Sequence, residues 1–388
     1  MVAEYRNDMS ETTPIADSPR VAHILIPYIR PTETFIYDRL VNHIRYTPFI
    51  LTNEPVINRD MFPFGGPVHT LAERPLTERK ADALARRAAK SSPYFTATLR
   101  REKPAAVHAH YGPVGAAVAP SADAAGIPLT VSFYGIDASA FLSDPRHAAR
   151  YRRMFQSASV VSVLSADMAD RLASAGCPEG KIRIHHLAVD TETLTPAPVE
   201  ARNRARVRIV SAGRFVEKKG MELLIDAFEK TISQGVDAEL HLFGSGPLEK
   251  QAAARASACR FADRISFFGH RPRAEIIAAV RDADIFALFS VTASDGDMEG
   301  TPTVLIEAGA LGVPSVSTMH AGIPEVVGDG ETGLLVPERD VEAFAGALAR
   351  LASDPGLRST MSRAARARVE KLFSIRSVMR QIESDYEA

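Results

Sequence analysis

Ser294-Asp-Gly-Asp-Met-Glu-Gly-Thr-Pro-Thr-Val-Leu-Ile-Glu-Ala-Gly-Ala-Leu-Gly-Val-Pro-Ser315 places two glutamates, Glu299 and Glu307, eight positions apart. Asp297, Gly300, Thr301 and Pro302 read as the start of a helix, because small or capping residues followed by proline suit a first turn. Val304-Leu305-Ile306 then carries the helix inward. Glu299 falls in the loop and Glu307 in the helix, about 12 Å away if the whole span were helical. A helix begun this way turns unpaired N–H groups and the positive end of its dipole toward whatever lies in front, which favours an anion such as a pyrophosphate. At that separation one ligand with a sugar end and a nucleoside end could meet both glutamates. Taken alone, two glutamates at this spacing are ordinary helix-surface acids.

The context adds more. With Glu299-Gly-Thr-Pro302 at its start and Glu307-Ala-Gly-Ala-Leu-Gly-Val-Pro314 as its continuation, the stretch resembles the glutamate-x7-glutamate signature of family 4 glycosyltransferases. The resemblance implies two doubly wound α/β, Rossmann-like domains facing across a cleft, the architecture called GT-B. It implies transfer of a sugar from a nucleotide-sugar donor, a UDP- or GDP-sugar, to an acceptor hydroxyl with retention of configuration. In that scheme Glu299 holds the donor sugar, Gly300, Thr301, Pro302 and Thr303 lie against the donor, Glu307 accepts from the ribose hydroxyls, and neither a metal nor another cofactor is required.

Length and composition fit such a chain. Its 388 residues suit two domains, each of roughly 150–200 residues. Hydrophobic residues at 46% supply two cores, and a net charge of −1 argues against a dedicated nucleic-acid binder. Cys177 and Cys259 permit at most one bridge and read as reduced thiols of a cytoplasmic protein. Residues 1–18 are polar with no apolar core, as expected of a loose tail. No apolar run approaches the ~20 residues that span a bilayer, so membrane association is expected to be peripheral.

In the second half, Val207–Ala212 reads as a strand, and Gly213-Arg-Phe-Val-Glu-Lys-Lys-Gly220 as a turn before a helix near Met221. Arginine and lysine beside a helix start form a clamp for pyrophosphate. The turn resembles the family's Gly-Arg…Lys-Gly phosphate motif, which assigns Arg214 and Lys219 to the leaving diphosphate and leaves Lys218 to solvent. Glu239-Leu-His-Leu-Phe-Gly-Ser-Gly-Pro247 is a strand and a tight loop whose Gly244 and Gly246 let a ligand approach the backbone. Ile265–Gly269 is the next strand, and by resemblance His270 lies at the nucleobase. Asp295 and Asp297 read as loop and cap residues rather than a metal pair.

The first half is less explicit. Val21–Ile26 reads as the first buried strand, followed by a helix over 35–44 that Thr32 or Thr34 caps. Pro31-Thr-Glu-Thr-Phe35 resembles the Ser-Glu-Thr-Phe variant of a branch containing many exopolysaccharide enzymes, which makes Thr32 and Glu33 acceptor-side candidates. Residues 78–103 form a basic helical stretch interrupted by Ser91-Ser-Pro93, either a solvated face or a surface resting on anionic lipid headgroups. Ala105–Gly112 ends a strand with His108 and His110, which point the same way. No carboxylate or cysteine at ligand spacing accompanies them. By resemblance His110 faces the sugar as a catalytic residue and His108 is structural. Where the family has His-Gly-x-Asp, Tyr134-Gly-Ile-Asp137 retains a ring but no proton shuttle at neutral pH. Tyr134 and Asp137 are further acceptor-side candidates, with turn capping an equal alternative for Asp137. Val160–Ser165 starts a strand–helix unit capped by Ser165.

These readings divide the chain into a tail (1–18), an acceptor-binding domain (19–195), a linker (196–206), a donor-binding domain (207–372) and a helix crossing back to the first domain (373–388). The acceptor is a carbohydrate, a glycolipid or, alternatively, a small soluble molecule. An epimerase or a non-catalytic sugar-nucleotide binder are the readings from other classes.

Overall fold

The computed structural model describes residues 18–31, 33–197 and 205–387, so the tail over 1–17, Thr32 and positions 198–204 of the expected linker lie outside the described residues. Two compact units divide the chain. One gathers the chain up to Leu164, Ala169–His185 and the stretch from Ile375; the other gathers Ser165–Met168 and His186–Ser374.

The strands of the first unit are β1 (Arg20–Ile24), β2 (Thr47–Thr52), β3 (Val68–Thr70), β4 (Ala106–His110), β5 (Leu129–Ser132), β6 (Val160–Val163) and β7 (Ile182–Ile184). They form one parallel sheet in the order β3-β2-β1-β4-β5-β6-β7. Val21, Val107, Val131 and Val161 are fully buried, as expected where helices cover both faces of a parallel sheet. The helices are α1 (Thr34–Val41), α2 (Leu76–Ala88), α3 (Pro93–Glu102), α4 (Gly112–Ala125), α5 (Pro145–Ser157) and, from Ala169 on, α6 (Ala166–Ser174). The basic stretch 78–103 is thus two helices. Ser92 ends the run by capping α3 through the Phe95 N–H, and Pro93 occupies the first turn, where its missing N–H costs nothing. Thr34 does not cap α1 but begins it; the N-cap position is Glu33, without a side-chain cap bond. Ser165 does cap α6, accepting from the Met168 N–H at 3.2 Å.

The second unit contains β8 (Val207–Ala212), β9 (Ala238–Phe243), β10 (Ile265–Gly269), β11 (Ile285–Leu288), β12 (Ser315–Thr318) and β13 (Gly333–Val336). Their parallel order is β10-β9-β8-β11-β12-β13. Around them lie α7 (Met221–Ser233), α8 (Glu249–Ala258), α9 (Arg273–Arg281), α10 (Thr303–Ala310), α11 (Ile323–Val326), α12 (Val341–Ser353) and α13 (Pro355–Leu372). Phe215, Phe228, Phe289 and Phe344 anchor its core, with the last two rings stacked at 4.4 Å. α14 (Ile375–Asp385) belongs to the first unit.

Strand order reverses between β1 and β4 in one sheet and between β8 and β11 in the other. Loops leaving two such strands diverge to opposite faces and open a crevice beyond the sheet's carboxyl edge. The stretches 213–220 and 289–302 leave β8 and β11, and the Val291 N–H joins them by donating to the Lys218 carbonyl at 3.0 Å.

Candidate functional site

At the carboxyl edge of the second sheet, the turn after β8 closes with Gly220 at φ 53° before α7. A Cβ there would lie 2.1 Å from the Phe289 carbonyl oxygen, so only glycine lets the turn approach the chain leaving β11. This contact carries both lysines to the loop after β11. Lys219 Nζ sits 2.7 Å from Glu299 Oε1 in a largely buried ion pair, the side chains 12% and 8% exposed. At that distance the ammonium both hydrogen-bonds the carboxylate and counters its charge. Burial pushes the Glu299 carboxyl up, but Lys219 and then Lys218 outweigh it and hold it below the usual carboxylate range. Lys218 is not left to solvent. Its Nζ lies 3.0 Å from Asp297 Oδ1 and 3.1 Å from the Met298 carbonyl, fixing the stretch before Glu299. Arg214 is exposed.

The helix carrying Glu307 begins later than its sequence suggests. Pro302, in extended conformation, is the N-cap of α10, and no side chain caps it. Asp297 therefore serves Lys218 and not the helix, while Asp295 accepts the Asp297 N–H at 2.9 Å. Gly300 and Thr301 precede the helix and Thr303 is its first residue. Glu307 is just over one turn in, buried, its Oε1 bonded to Arg273 Nε at 2.9 Å and Nη2 at 2.7 Å. Arg273 begins α9, a placement that sequence spacing did not signal.

Gly244 and Gly246 lie in the loop after β9, yet their need for glycine comes from protein backbone. A Cβ on Gly244 would sit 1.9 Å from the Gly213 oxygen, and one on Gly246 2.5 Å from the Phe215 oxygen. Phe215 N–H donates to the Ser245 carbonyl at 2.9 Å, and Gly244 N–H to the Gly269 carbonyl at 2.8 Å, so the ends of β8, β9 and β10 are stitched together. His270 follows β10 and is exposed.

His320, after β12, is a site residue that no motif announces. Its Nε2 lies 3.1 Å from the Glu299 backbone N, and its Nδ1 lies 2.6 Å from Glu338 Oε1. The signal was a histidine just past a short strand and two positions before Gly322, too common to single out.

In the first unit both ring nitrogens of His110 meet protein groups. His110 is 2% exposed, its Nε2 lies 2.9 Å from His23 Nδ1, and its Nδ1 lies 2.6 Å from the Tyr134 hydroxyl. His23 Nε2 is 2.8 Å from His43 Nε2, and His43 Nδ1 is 2.9 Å from Glu383 Oε1 on α14. His108 lies between the Tyr386 hydroxyl at 2.6 Å and Ser132 Oγ at 2.8 Å. Burial, the neighbouring histidines and Arg39 hold His23, His108 and His110 well below the ordinary imidazole pKa. Nitrogens of these three rings fall within 4.8 Å of one another, a spacing that permits a metal ion. Against that use, their ring nitrogens are engaged in hydrogen bonds, and the buried Arg39 guanidinium beside them raises the cost of a divalent cation.

Other acceptor-side candidates also serve the protein itself. Asp137 Oδ1 accepts the Tyr134 and Gly135 N–H groups and Oδ2 that of Gly112, which makes it the turn cap. Burial raises its carboxyl above the usual range despite these bonds. Glu33 accepts the Arg30 N–H at 2.9 Å and the Tyr111 hydroxyl at 3.0 Å, linking the loops after β1 and β4.

Comparison with known proteins fits this arrangement. Residues 197–368 match the family described as Glycosyl transferases group 1, and residues 52–188 match the Glycosyl transferase 4-like domain. A Salmonella typhimurium protein named as a colanic acid biosynthesis glycosyltransferase, WcaL, is 35% identical over 280 residues, 71% of this chain and 68% of its own. The Erwinia amylovora amylovoran biosynthesis glycosyltransferase AmsK is 35% identical over 250 residues, 64% of this chain and 61% of its own. Among solved structures, Anabaena Alr3699/HepE in complex with UDP superposes with a TM-score of 0.76 at 16% identity, over 94% of this chain and 98% of its own. At that identity the likeness concerns the fold, two parallel-sheet α/β units of the GT-B class.

Proposed function

The chain belongs to the glycosyltransferases, with a family 4-like first domain and a group 1 second domain, and from this premise we propose that it moves a sugar from a UDP- or GDP-sugar to an acceptor hydroxyl, with retention of configuration, in exopolysaccharide, lipopolysaccharide or glycolipid synthesis. The observation that carries the donor assignment is the buried Lys219–Glu299 ion pair ahead of α10. A carboxylate held ionised accepts from sugar hydroxyls, and a lysine beside it accepts the charge of a diphosphate. UDP is what the Anabaena protein of the same fold holds.

In this reading the bond from the anomeric carbon to the diphosphate breaks and its electrons pass to the diphosphate, whose charge Arg214, Lys219 and the N–H groups at the start of α10 neutralise. The acceptor oxygen bonds to the same face of that carbon, and its proton goes to the departing phosphate. Glu299 holds sugar hydroxyls, Glu307 accepts from the ribose, Gly300 to Thr303 border the diphosphate, and His270 borders the base. Gly244 and Gly246 support the clamp by packing under residues 213–215. His110 contributes by holding Tyr134. No metal or other cofactor enters.

A second reading concerns place of action. Among the described residues no helix is long and apolar enough to cross a membrane. On α2, Leu76 and Leu84 are exposed beside Arg79, Lys80, Arg86 and Arg87. That combination supports peripheral contact with anionic lipid at the cytoplasmic face of a membrane.

The test is a thermal-shift screen of UDP, GDP, ADP and their common sugar conjugates, because a ligand bound only by the native state raises the melting temperature. A shift with one nucleotide that disappears in Arg214→Ala or Lys219→Ala supports the donor site. No shift at millimolar concentrations of all of them removes the support for it.

A further inference from the structure

We infer that His320, held by Glu338, is the positioning residue that sets Glu299 for sugar transfer; this rests on the proposed role of Glu299 at the donor. The Glu299 backbone N–H can only donate, so His320 Nε2, 3.1 Å away, is the unprotonated nitrogen. The ring proton therefore sits on Nδ1 and is donated to Glu338 Oε1 at 2.6 Å. Glu338 Oε2 in turn accepts the Thr292 N–H at 2.7 Å, which prevents the carboxylate from rotating away. Each atom in the chain from Thr292 to Glu299 has one assignable role, and a carboxylate–histidine pair of this kind fixes both tautomer and ring orientation.

The histidine is needed because residues 294–302 contain no strand or helix to satisfy their backbone. His320 is 1% exposed and lies in a segment that touches the same loop twice. Gly322 N–H donates to the Gly300 carbonyl at 3.1 Å, and a Cβ on Gly322 would lie 2.7 Å from that oxygen, so the 320–322 segment is pressed against the residue after Glu299. Lys219 meets Glu299 at its carboxylate and His320 meets it at its backbone. With both ends held, the carboxylate is directed before substrate arrives. Without Nε2, the N–H is left buried and unpaired, and the loop relieves this by moving.

The experiment compares His320→Leu, which keeps bulk but loses the acceptor, His320→Gln, whose amide oxygen reaches the place of Nε2, and His320→Asn, whose oxygen falls short at the place of Nδ1. UDP-glucose and GDP-mannose are the donor probes, with water as acceptor and turnover read as nucleoside diphosphate released; affinity for UDP and GDP is read by calorimetry. His320→Leu is expected to lower kcat by about 10²-fold, the cost of an ångström-scale misplacement, with nucleotide affinity unchanged and with His320→Gln recovering most of the rate. Equal loss of affinity and rate, or full activity of His320→Leu beside an inactive Glu299→Gln, overturns the inference. Full activity of Glu299→Gln instead overturns the reading of Glu299 itself. If His320→Leu does not fold, the Gln and Asn variants decide: equal rates overturn the inference, and a much slower Asn variant supports it. Independently of any donor, ¹⁵N spectra of labelled histidine should show His320 protonated on Nδ1 alone at neutral pH; a proton on Nε2 overturns the inference.

Discussion

Glu383 Oε1 lies 2.9 Å from His43 Nδ1, joining α14 to the end of α1 across 340 positions of sequence. The same carboxylate accepts the Ile44 N–H at 2.7 Å and the Arg45 N–H at 3.0 Å. Because an ionised carboxylate only accepts, His43 donates to it.

Glu383→Ala leaves three donors without their acceptor at part-buried contacts, and is expected to destabilise the protein by about 3 kcal/mol. Glu383→Gln keeps one acceptor oxygen and should cost about 1–2 kcal/mol. Urea unfolding measures both. Equal, small effects would mean that α14 is held by its apolar face alone.

The buried histidines make stability fall in acid. His23, His108 and His110 have native pKa values depressed by burial, the neighbouring imidazoles and Arg39. Once unfolded, they titrate near the ordinary value of about 6.5. Below that pH the unfolded chain binds protons that the native chain refuses, so unfolding free energy decreases as pH falls and is flat above about 7. Three such groups give a limiting slope of about 4 kcal/mol per pH unit. Denaturant titrations between pH 5 and 8 check this, and pH-independent stability over that range would contradict the buried neutral cluster.

Gly244→Ala tests the stitching of the strand ends. Gly244 has φ 128°, and an added Cβ meets the Gly213 oxygen at 1.9 Å, which belongs to backbone and cannot swing aside. The substitution should cost more than about 2 kcal/mol and displace the turn carrying Arg214. The expected readout is a lowered melting temperature together with a smaller thermal shift from nucleotide. A variant with wild-type values for both would show that the loop re-forms elsewhere at no cost.

Local chemistry was legible where a few consecutive residues settle it. Short apolar runs such as Val160-Val-Ser-Val163 give buried parallel strands, and the turn 213–220 with the 294–315 stretch announces Lys219, Glu299 and Glu307. Partners distant in sequence were not legible. Lys218 looks solvated until Asp297, 79 positions on, supplies its counter-charge. Glu307 gives no hint of Arg273, nor His110 of His23 and Tyr134. The backbone of Gly213 and Phe215 that demands glycine at 244 and 246 comes from another strand end, out of reach of local sequence. The start of α10 was placed too early because loop residues fixed by lysine resemble helix caps in sequence.

Lys219 and Glu299 should prove energetically coupled as well as catalytically linked. Lys219→Met leaves the buried Glu299 carboxylate without its nearest cation, and Glu299→Gln leaves the ammonium without its anion. Either single change is expected to cost about 3 kcal/mol or more, whereas the double variant, with neither charge remaining, should cost clearly less than their sum. The Glu299 carboxyl is depressed in the native state, so its contribution is present above about pH 4.5 and is lost as pH falls through the lower native value. The single Lys219→Met variant should therefore become relatively less impaired in acid, where Glu299 takes up a proton. Urea unfolding of the four proteins at pH 7 and near pH 4 measures both effects. Strict additivity at pH 7 would mean that the 2.7 Å approach carries no coupling, and that Glu299 is held by its backbone contacts alone.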